Sequence, residues 1–437
     1  MKTVAAPVER GLLLLASLFL SGCWLSLLLA PAVRQADPNL FVWDWQLAGG
    51  WLLCMLGIWG GHFWLNNKLP QRDPLLFAIG SMLGGWGVFV IWRLEPPFGM
   101  RQAVWLVLSV AVCCWMASRN DLPKWLRRYP YLWLLSGLLL VALTFFWGTN
   151  PSGAGQKLWL GCCGLFFQPA ELLKLMLVVY LAAYLANRQP LLGHPSQKWF
   201  GQPRPTAFFV PMILMWLFTL ILLFLQQDLG ASSLLFGLFV VIVYIATGNW
   251  LYLPTGALLL FAAGTLGYQL FTVVQQRVDT WWNPWRDASG TSYQVVQSLL
   301  AIANGGIFGR GFGIGAPRII PVVHSDFIYA AIVAEWGWLG GSALLLLLAI
   351  LVTRLYKNAL INQNLHQRLL LAGIATWFAL QSLLIIGGVM RAVPLTGVTT
   401  PFLAYGGSGL LLNFSGLAIA MRLSAAGGTT HPATTLR

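Results

Sequence analysis

One stretch of this sequence gathers most of its polar chemistry: residues 283–327, NPWRDASGTSYQVVQSLLAIANGGIFGRGFGIGAPRIIPVVHSDF. It holds Asp287, His324 and Asp326 with Arg286, Arg310, Arg318 and many glycines. A loop carboxylate such as Asp287 acts as a general base if it reaches a hydroxyl. Neighbouring guanidiniums can stabilise a departing anion, although an arginine here also serves as a lipid-headgroup anchor. Taken alone, Asp287 reads as a solvated loop aspartate. Trp281, Trp282, Trp285 and Tyr293 around it mark a segment lying at a membrane interface. Asp326 opens an apolar run, where an acid is favoured by the positive end of a helix.

Three more motifs carry charge or broken backbone. Gln168-Pro169-Ala170-Glu171-Leu172-Leu173-Lys174 starts a helix with proline in its first turn, and Glu171 and Lys174 share one face at i, i+3. That pair reads both as an intrahelical ion pair and as a polar post lining a cavity. Gln226-Gln227-Asp228-Leu229-Gly230 is a tight turn in which Asp228 caps the next helix or supports a site. Pro394-Leu395-Thr396-Gly397, Pro401-Phe402 and Tyr405-Gly406-Gly407-Ser408-Gly409 break regular helix at membrane depth, which is tolerated only where protein buries the backbone or water lines it. Glu335 lies within a span and requires a partner.

These segments must be positioned by helices in a membrane. Of 437 residues, 58% are hydrophobic and 9% charged, with mean hydropathy +0.73; soluble domains carry about 25% charged residues. Apolar runs fall near 11–31, 47–65, 74–92, 103–118, 130–147, 169–187, 207–225, 229–247, 252–271, 327–352, 369–390 and 409–425. The expected fold is an all-α polytopic membrane protein of about twelve transmembrane helices, with a large loop before the tenth. The first run reads as a helix rather than a signal peptide or a lipidation box at Cys23, because it continues through Ala30. The six cysteines show no metal-ligand spacing and read as small core residues.

Charge orients the chain. With the N-terminus inside and Lys174 set aside, sixteen Lys and Arg fall on inner segments and nine on outer ones, which places both termini in the cytoplasm. The loops at 148–168, 272–326 and 391–408 then face outward, and Glu171, Asp228, Asp287, Asp326 and Glu335 gather on that side. The net charge of +14 reads as basic cytoplasmic loops against anionic membrane lipid, not as a nucleic-acid surface.

Taken in order and spacing, QPAELLK, QQDLGAS, PWRD…YQVVQS…GGIFGRGFG…HSDF and PLTG…PF…YGGSG resemble the SEDS family, the FtsW/RodA/SpoVE-type membrane proteins of cell shape, division and sporulation. The resemblance covers about residues 74–425, as a ten-helix core. Residues 1–70 then form a tail with two additional helices, 272–326 the outer catalytic loop, and 426–437 a cytoplasmic tail.

The resemblance implies a peptidoglycan glycosyltransferase of the bacterial cytoplasmic membrane that polymerises lipid II on the outer face. Its usual partner is a class B penicillin-binding protein acting as transpeptidase. The essential aspartate falls on Asp287 and the polar pair on Glu171 and Lys174. Arg286, Arg310, His324, Asp326, Arg391, Asp228 and Ser408 complete the expected binding or cavity-lining set, with lipid II and a growing glycan strand as ligands. No metal site is assigned; a divalent cation could assist the diphosphate, but no ligand cluster in the sequence claims one.

The chain departs from the family pattern at Ala288 (for proline), Gln227 (for proline), Ala231 (for threonine) and Val322 (for an acid), and a glutamate pair is reduced to Glu335-Trp336. Two rival functions stand beside the enzyme. A flippase or transporter of lipid-linked precursor would show inverted repeats, and no convincing self-similarity is present. A non-catalytic scaffold of a division or elongation complex would have no use for Asp287.

Overall fold

The computed structural model describes residues 5–37, 39, 41–150, 153, 156–188, 205–315 and 317–427. Most of the tail at 426–437, and Lys2, Lys198, Arg204 and Arg437 from the charge partition, lie outside them, as does the Arg318 side chain.

Each of the twelve apolar runs is a helix. They are α1 (Ala5–Gln35), α2 (Trp45–Lys68), α3 (Pro74–Leu94), α4 (Pro96–Ser118), α6 (Pro130–Trp147), α7 (Pro169–Asn187), α8 (Pro205–Leu225), α9 (Leu229–Thr247), α10 (Tyr252–Leu270), α13 (Ile328–Ile361), α14 (Leu365–Val389) and α15 (Gly407–Gly427). Three shorter helices intervene: α5 (Leu122–Arg128), α11 (Thr272–Trp282) and α12 (Tyr293–Gly305). Ten helices among the described residues are long and apolar enough to cross a membrane; α2 and α8 are not among the ten.

The one sheet among the described residues is a hairpin, β1 (Leu160–Cys162) with β2 (Leu165–Phe167), antiparallel with Leu160 opposite Phe167. Cys162 and Cys163 lie exposed in this hairpin, whereas Cys23, Cys54, Cys113 and Cys114 are buried. The core reading therefore fails for the first two, because the loop segment around them folds as a surface hairpin.

Helix starts follow local chemistry. Pro74, Pro96, Pro130 and Pro169 occupy first turns, where no amide partner is lost. Asp44 caps α2 by accepting from the amides of Gln46 and Leu47 at 2.8 and 3.0 Å, and Asp73 caps α3 through Leu75 at 3.0 Å.

The chain divides into two compact units. The first comprises residues 1–120, 267–354 and 381–437. Its hub is α3, buried almost all round, as an apolar helix without a polar face must be. Gly85 admits Leu20 of α1, and Gly87 lies against the backbone of Leu403, so close approach at small residues replaces a hydrophobic drive between helices. At one end, Glu9 of α1 is buried with His62 at 2.7 Å and Arg72 at 2.5 Å. The second unit comprises residues 121–266 and 355–380. Its buried hub is α7, with Gly373 of α14 against Val178 and Ile242.

Candidate active site

Asp287 ends a single 3-10 turn, Pro284–Asp287, after α11. Its Oδ2 accepts from the Thr291 amide at 2.7 Å and from the Thr291 hydroxyl at 2.9 Å. The amides of Gly290 and Ser292 bond its carbonyl at 3.2 and 3.3 Å. The carboxylate is exposed, and those bonds from Thr291 hold it below the usual 3.8. It forms no salt bridge among the described residues; Arg286 beside it is also exposed. A Cβ on Gly290 would lie 2.4 Å from both carboxylate oxygens, so glycine is what lets the chain pass so close to the acid.

The turn is tied at both ends. Ser292 bonds Thr280 of α11 at 3.1 Å. Arg391 donates through Nε to Trp281 O and through Nη2 to Trp282 O, both at 2.7 Å, while the Trp281 indole donates to Arg391 O at 3.2 Å. Arg391, expected to line a ligand cavity, thus commits its guanidinium to the backbone of α11. Arg277 donates to Thr396 O at 2.7 Å, and its charge acts on Asp326. Burial raises the Asp326 carboxyl, and a bond from Ser325 and the charge of Arg277 pull it back. Sequence reasoning passed over Arg277, whose only signal was its place on a short amphipathic helix.

The glycine-rich segment after α12 is a strap across a broken helix. α13 breaks at Gly337 (φ 69°, ψ −169°), a conformation open to glycine. The carbonyls orphaned by the break are filled by the amides of Arg310 (to Ala334, 3.2 Å) and Gly311 (to Glu335, 3.0 Å). The orphaned amides of Trp338 and Leu339 donate to Gly306 and Ile307 at 2.9 and 3.2 Å. Backbone polar groups at membrane depth are satisfied within the protein, as they must be. Glu335 finds its partner in Arg93 of α3, at 2.9 Å, with both buried. The Arg310 side chain is exposed, its Nε bonding Asn304 O at 3.3 Å.

The segment 390–406 has no regular structure, and residues 400–404 are buried. Its backbone is served by side chains: Gln102 donates to Ala404 O at 3.3 Å and accepts from the Gly406 amide at 3.4 Å, and Gln381 donates to Thr399 O at 2.8 Å. The Tyr405 amide bonds His324 O at 2.9 Å, and the His324 ring lies edge-on to Phe98 and Tyr405. Burial holds the imidazole below its usual value, against the opposing charge of Glu95. Ser408 is half-buried in the first turn of α15.

In the second unit Lys174 donates to Glu171 at 2.6 Å, both buried. The other carboxylate oxygen, Oε2, has no hydrogen-bond partner among the described residues. Asp228 caps α9 through the Ala231 amide at 2.9 Å. Gln227 before it has φ +57°, which a proline, fixed near −65°, cannot adopt. This turn is therefore built differently from one carrying proline there. Among the described residues no three His, Cys, Asp or Glu side chains are grouped to hold a metal ion.

The family model described as cell cycle protein, FtsW/RodA/SpoVE, matches residues 93–427. The chain belongs to the FtsW/RodA/SpoVE family. It is 36% identical to peptidoglycan glycosyltransferase RodA of Mycobacterium tuberculosis over 407 residues, covering 90% of this chain and 86% of that protein. It is 32% identical to a probable peptidoglycan glycosyltransferase FtsW of Geobacter sulfurreducens, over 82% of this chain and 97% of that one. Among solved structures, a peptidoglycan synthase complex described for coordinating polymerization and crosslinking matches with TM-score 0.67 and 26% identity, over 82% of this chain and 98% of the other. The crystal structure of Thermus thermophilus rod shape determining protein RodA matches with TM-score 0.59 and 26% identity, over 81% and 96%. Members thus share this chain's helical membrane architecture.

Proposed function

We propose that this chain is a peptidoglycan glycosyltransferase that polymerises lipid II at the outer face of the bacterial cytoplasmic membrane, in cell-shape elongation or division. Asp287 is its general base. The observation that carries the reading is an anionic carboxylate, exposed and held by two hydrogen bonds from one threonine, in a loop tied down at both ends. The names of the similar proteins support the reaction class.

In the reaction a sugar hydroxyl of one lipid-linked substrate attacks the anomeric carbon of another. A glycosidic C–O bond forms, the bond to the lipid diphosphate breaks, and the hydroxyl proton passes to Asp287. The diphosphate departs as an anion and needs cations rather than a proton. Arg286 and Arg310, both exposed, suit that role. In the second unit Glu171 and Lys174 are the proposed binding pair, and the buried unpartnered oxygen of Glu171 is the group available to a ligand hydroxyl.

In this reading the core is residues 74–425, with the termini cytoplasmic and the loop 272–326 outside, and the excess of Lys and Arg on the inner segments supports it. A class B penicillin-binding protein is the proposed transpeptidase partner; a solved synthase complex with both polymerization and crosslinking matches this fold. Purified protein given lipid II, alone and with such a partner, is expected to make glycan strands, and Asp287→Ala is expected to make none while inserting normally. Full activity of that variant removes the assignment.

A further inference from the structure

We propose that Arg34, at the end of the first helix, is a positioning residue for the Asp287 loop, acting through the glycine-rich strap. Only the kinetic part of its test rests on the function proposed above.

One face of α1 carries Ser26, Ala30 and Arg34 at i, i+4 and i+8, and all three meet the strap. Ser26 Oγ donates to Phe312 O at 2.8 Å. A Cβ on Gly313 would lie 2.9 Å from that of Ala30. Arg34 Nε donates to Gly313 O at 2.6 Å, and its Nη2 bonds the same oxygen. Two residues on, Arg93 of α3 donates to Gly315 O at 2.5 Å while pairing Glu335. Two arginines from two helices therefore hold alternate carbonyls of one short segment.

What they hold is mechanically continuous with Asp287. Phe312 stacks on Trp336, centroids 4.1 Å apart, and the strap before it is bonded across the break at Gly337. Gly305, the last residue of α12, packs against the backbone of Val333. From there α12 runs back to Ser292 and Thr291, the residues that fix the carboxylate turn. A helix transmits displacement along its axis with little give, so the strap sets where the N-terminal end of α12 stands.

The other end of α1 is anchored independently, through Glu9 to His62 and Arg72. Loss of Arg34 therefore frees Gly313 O and loosens the strap without undocking the helix. The first helix, which precedes the stretch matched by the family model, thereby contributes to the geometry of the loop.

The test uses full-length protein in which Cys162 and Cys163 are replaced by serine and Ser289→Cys carries a nitroxide label. Arg34→Ala is expected to raise label mobility in the loop, and Arg34→Lys to restore part of the order. Glu9→Gln, at the far end of α1, is expected to leave the label unchanged. In the unlabelled protein, Arg34→Ala is expected to lower kcat for polymerisation about tenfold with KM within about twofold, the signature of a misplaced group rather than lost binding. Unchanged mobility and kcat in folded Arg34→Ala overturns the proposal. Changed mobility in a protein whose wild type polymerises nothing upholds the positioning and overturns the function instead.

Discussion

Asp287 and Thr291 close a turn in which one threonine gives both its amide and its hydroxyl to the same carboxylate oxygen, at 2.7 and 2.9 Å. Both bonds favour the charged form and lower the acid's pKa from 3.8. The stabilisation they lend the loop is present above pH 3.8 and is lost as pH falls through the lower folded value. A base must be deprotonated, so the acidic limb of the polymerisation rate lies below the usual carboxylate range. Thr291→Val removes the hydroxyl bond and moves that limb upward, towards 3.8. A pH–rate profile of the two proteins checks the direction.

Gly290→Ala inserts a methyl where both Asp287 oxygens lie at 2.4 Å. The acid must leave its turn, and activity is expected to fall towards that of Asp287→Ala. Thermal stability, set by the helices, is expected to change by no more than about 1 kcal/mol, as for a surface substitution. Activity close to wild type would mean that the turn is not the working conformation.

Arg93 and Glu335 form a buried pair within the first unit. Arg93→Ala strands a buried acid and also releases Gly315 O, at an expected cost of about 3–5 kcal/mol. Glu335→Gln keeps a hydrogen-bonding group of the same shape and costs less. Detergent-solubilised melting curves of the two variants give the order.

Gln227 sits at φ +57° where the family pattern has proline. Gln227→Gly relieves a left-handed conformation worth roughly 1–2 kcal/mol but adds unfolded-chain entropy of about 0.4–1 kcal/mol, so stability is expected to rise by about 1 kcal/mol or less. Gln227→Pro is incompatible with that φ and is expected to cost about 3 kcal/mol or more. Equal melting temperatures for the glycine and proline variants would show that this turn is readily rebuilt.

Cys162 and Cys163 are exposed while Cys23, Cys54, Cys113 and Cys114 are buried. A maleimide is expected to modify the first two in folded protein, and all six after denaturation. A membrane-impermeant maleimide applied to intact cells tests the outward placement of 148–168. Labelling only after the cells are opened would reverse the orientation read from charge.

Much was legible in the sequence because it is written in local, additive quantities. Hydropathy over twenty residues marks a helix in a bilayer wherever the rest of the chain lies, and all twelve apolar runs are helical. Proline in a first turn, Asp228 at a cap and the i, i+3 spacing of Glu171 and Lys174 are properties of a single helix, and each is found as expected. The turn around Asp287 is local for the same reason: Gly290 and Thr291, which bond it, are its sequence neighbours.

What needed the tertiary structure was every pairing across distant segments. Arg93 with Glu335, Arg391 with the α11 carbonyls and Arg34 with Gly313 join residues separated by about a hundred positions or more, and no periodicity encodes which charge meets which carbonyl. Arg391 and Arg34 look alike as outer arginines; only packing commits both to backbone. The glycines of the strap likewise read as a loop, because the carbonyls and amides they satisfy exist only once α13 breaks at Gly337. Local chemistry thus determined the helices and the turn around the acid, and the folded arrangement alone decided what ties down the loop that carries it.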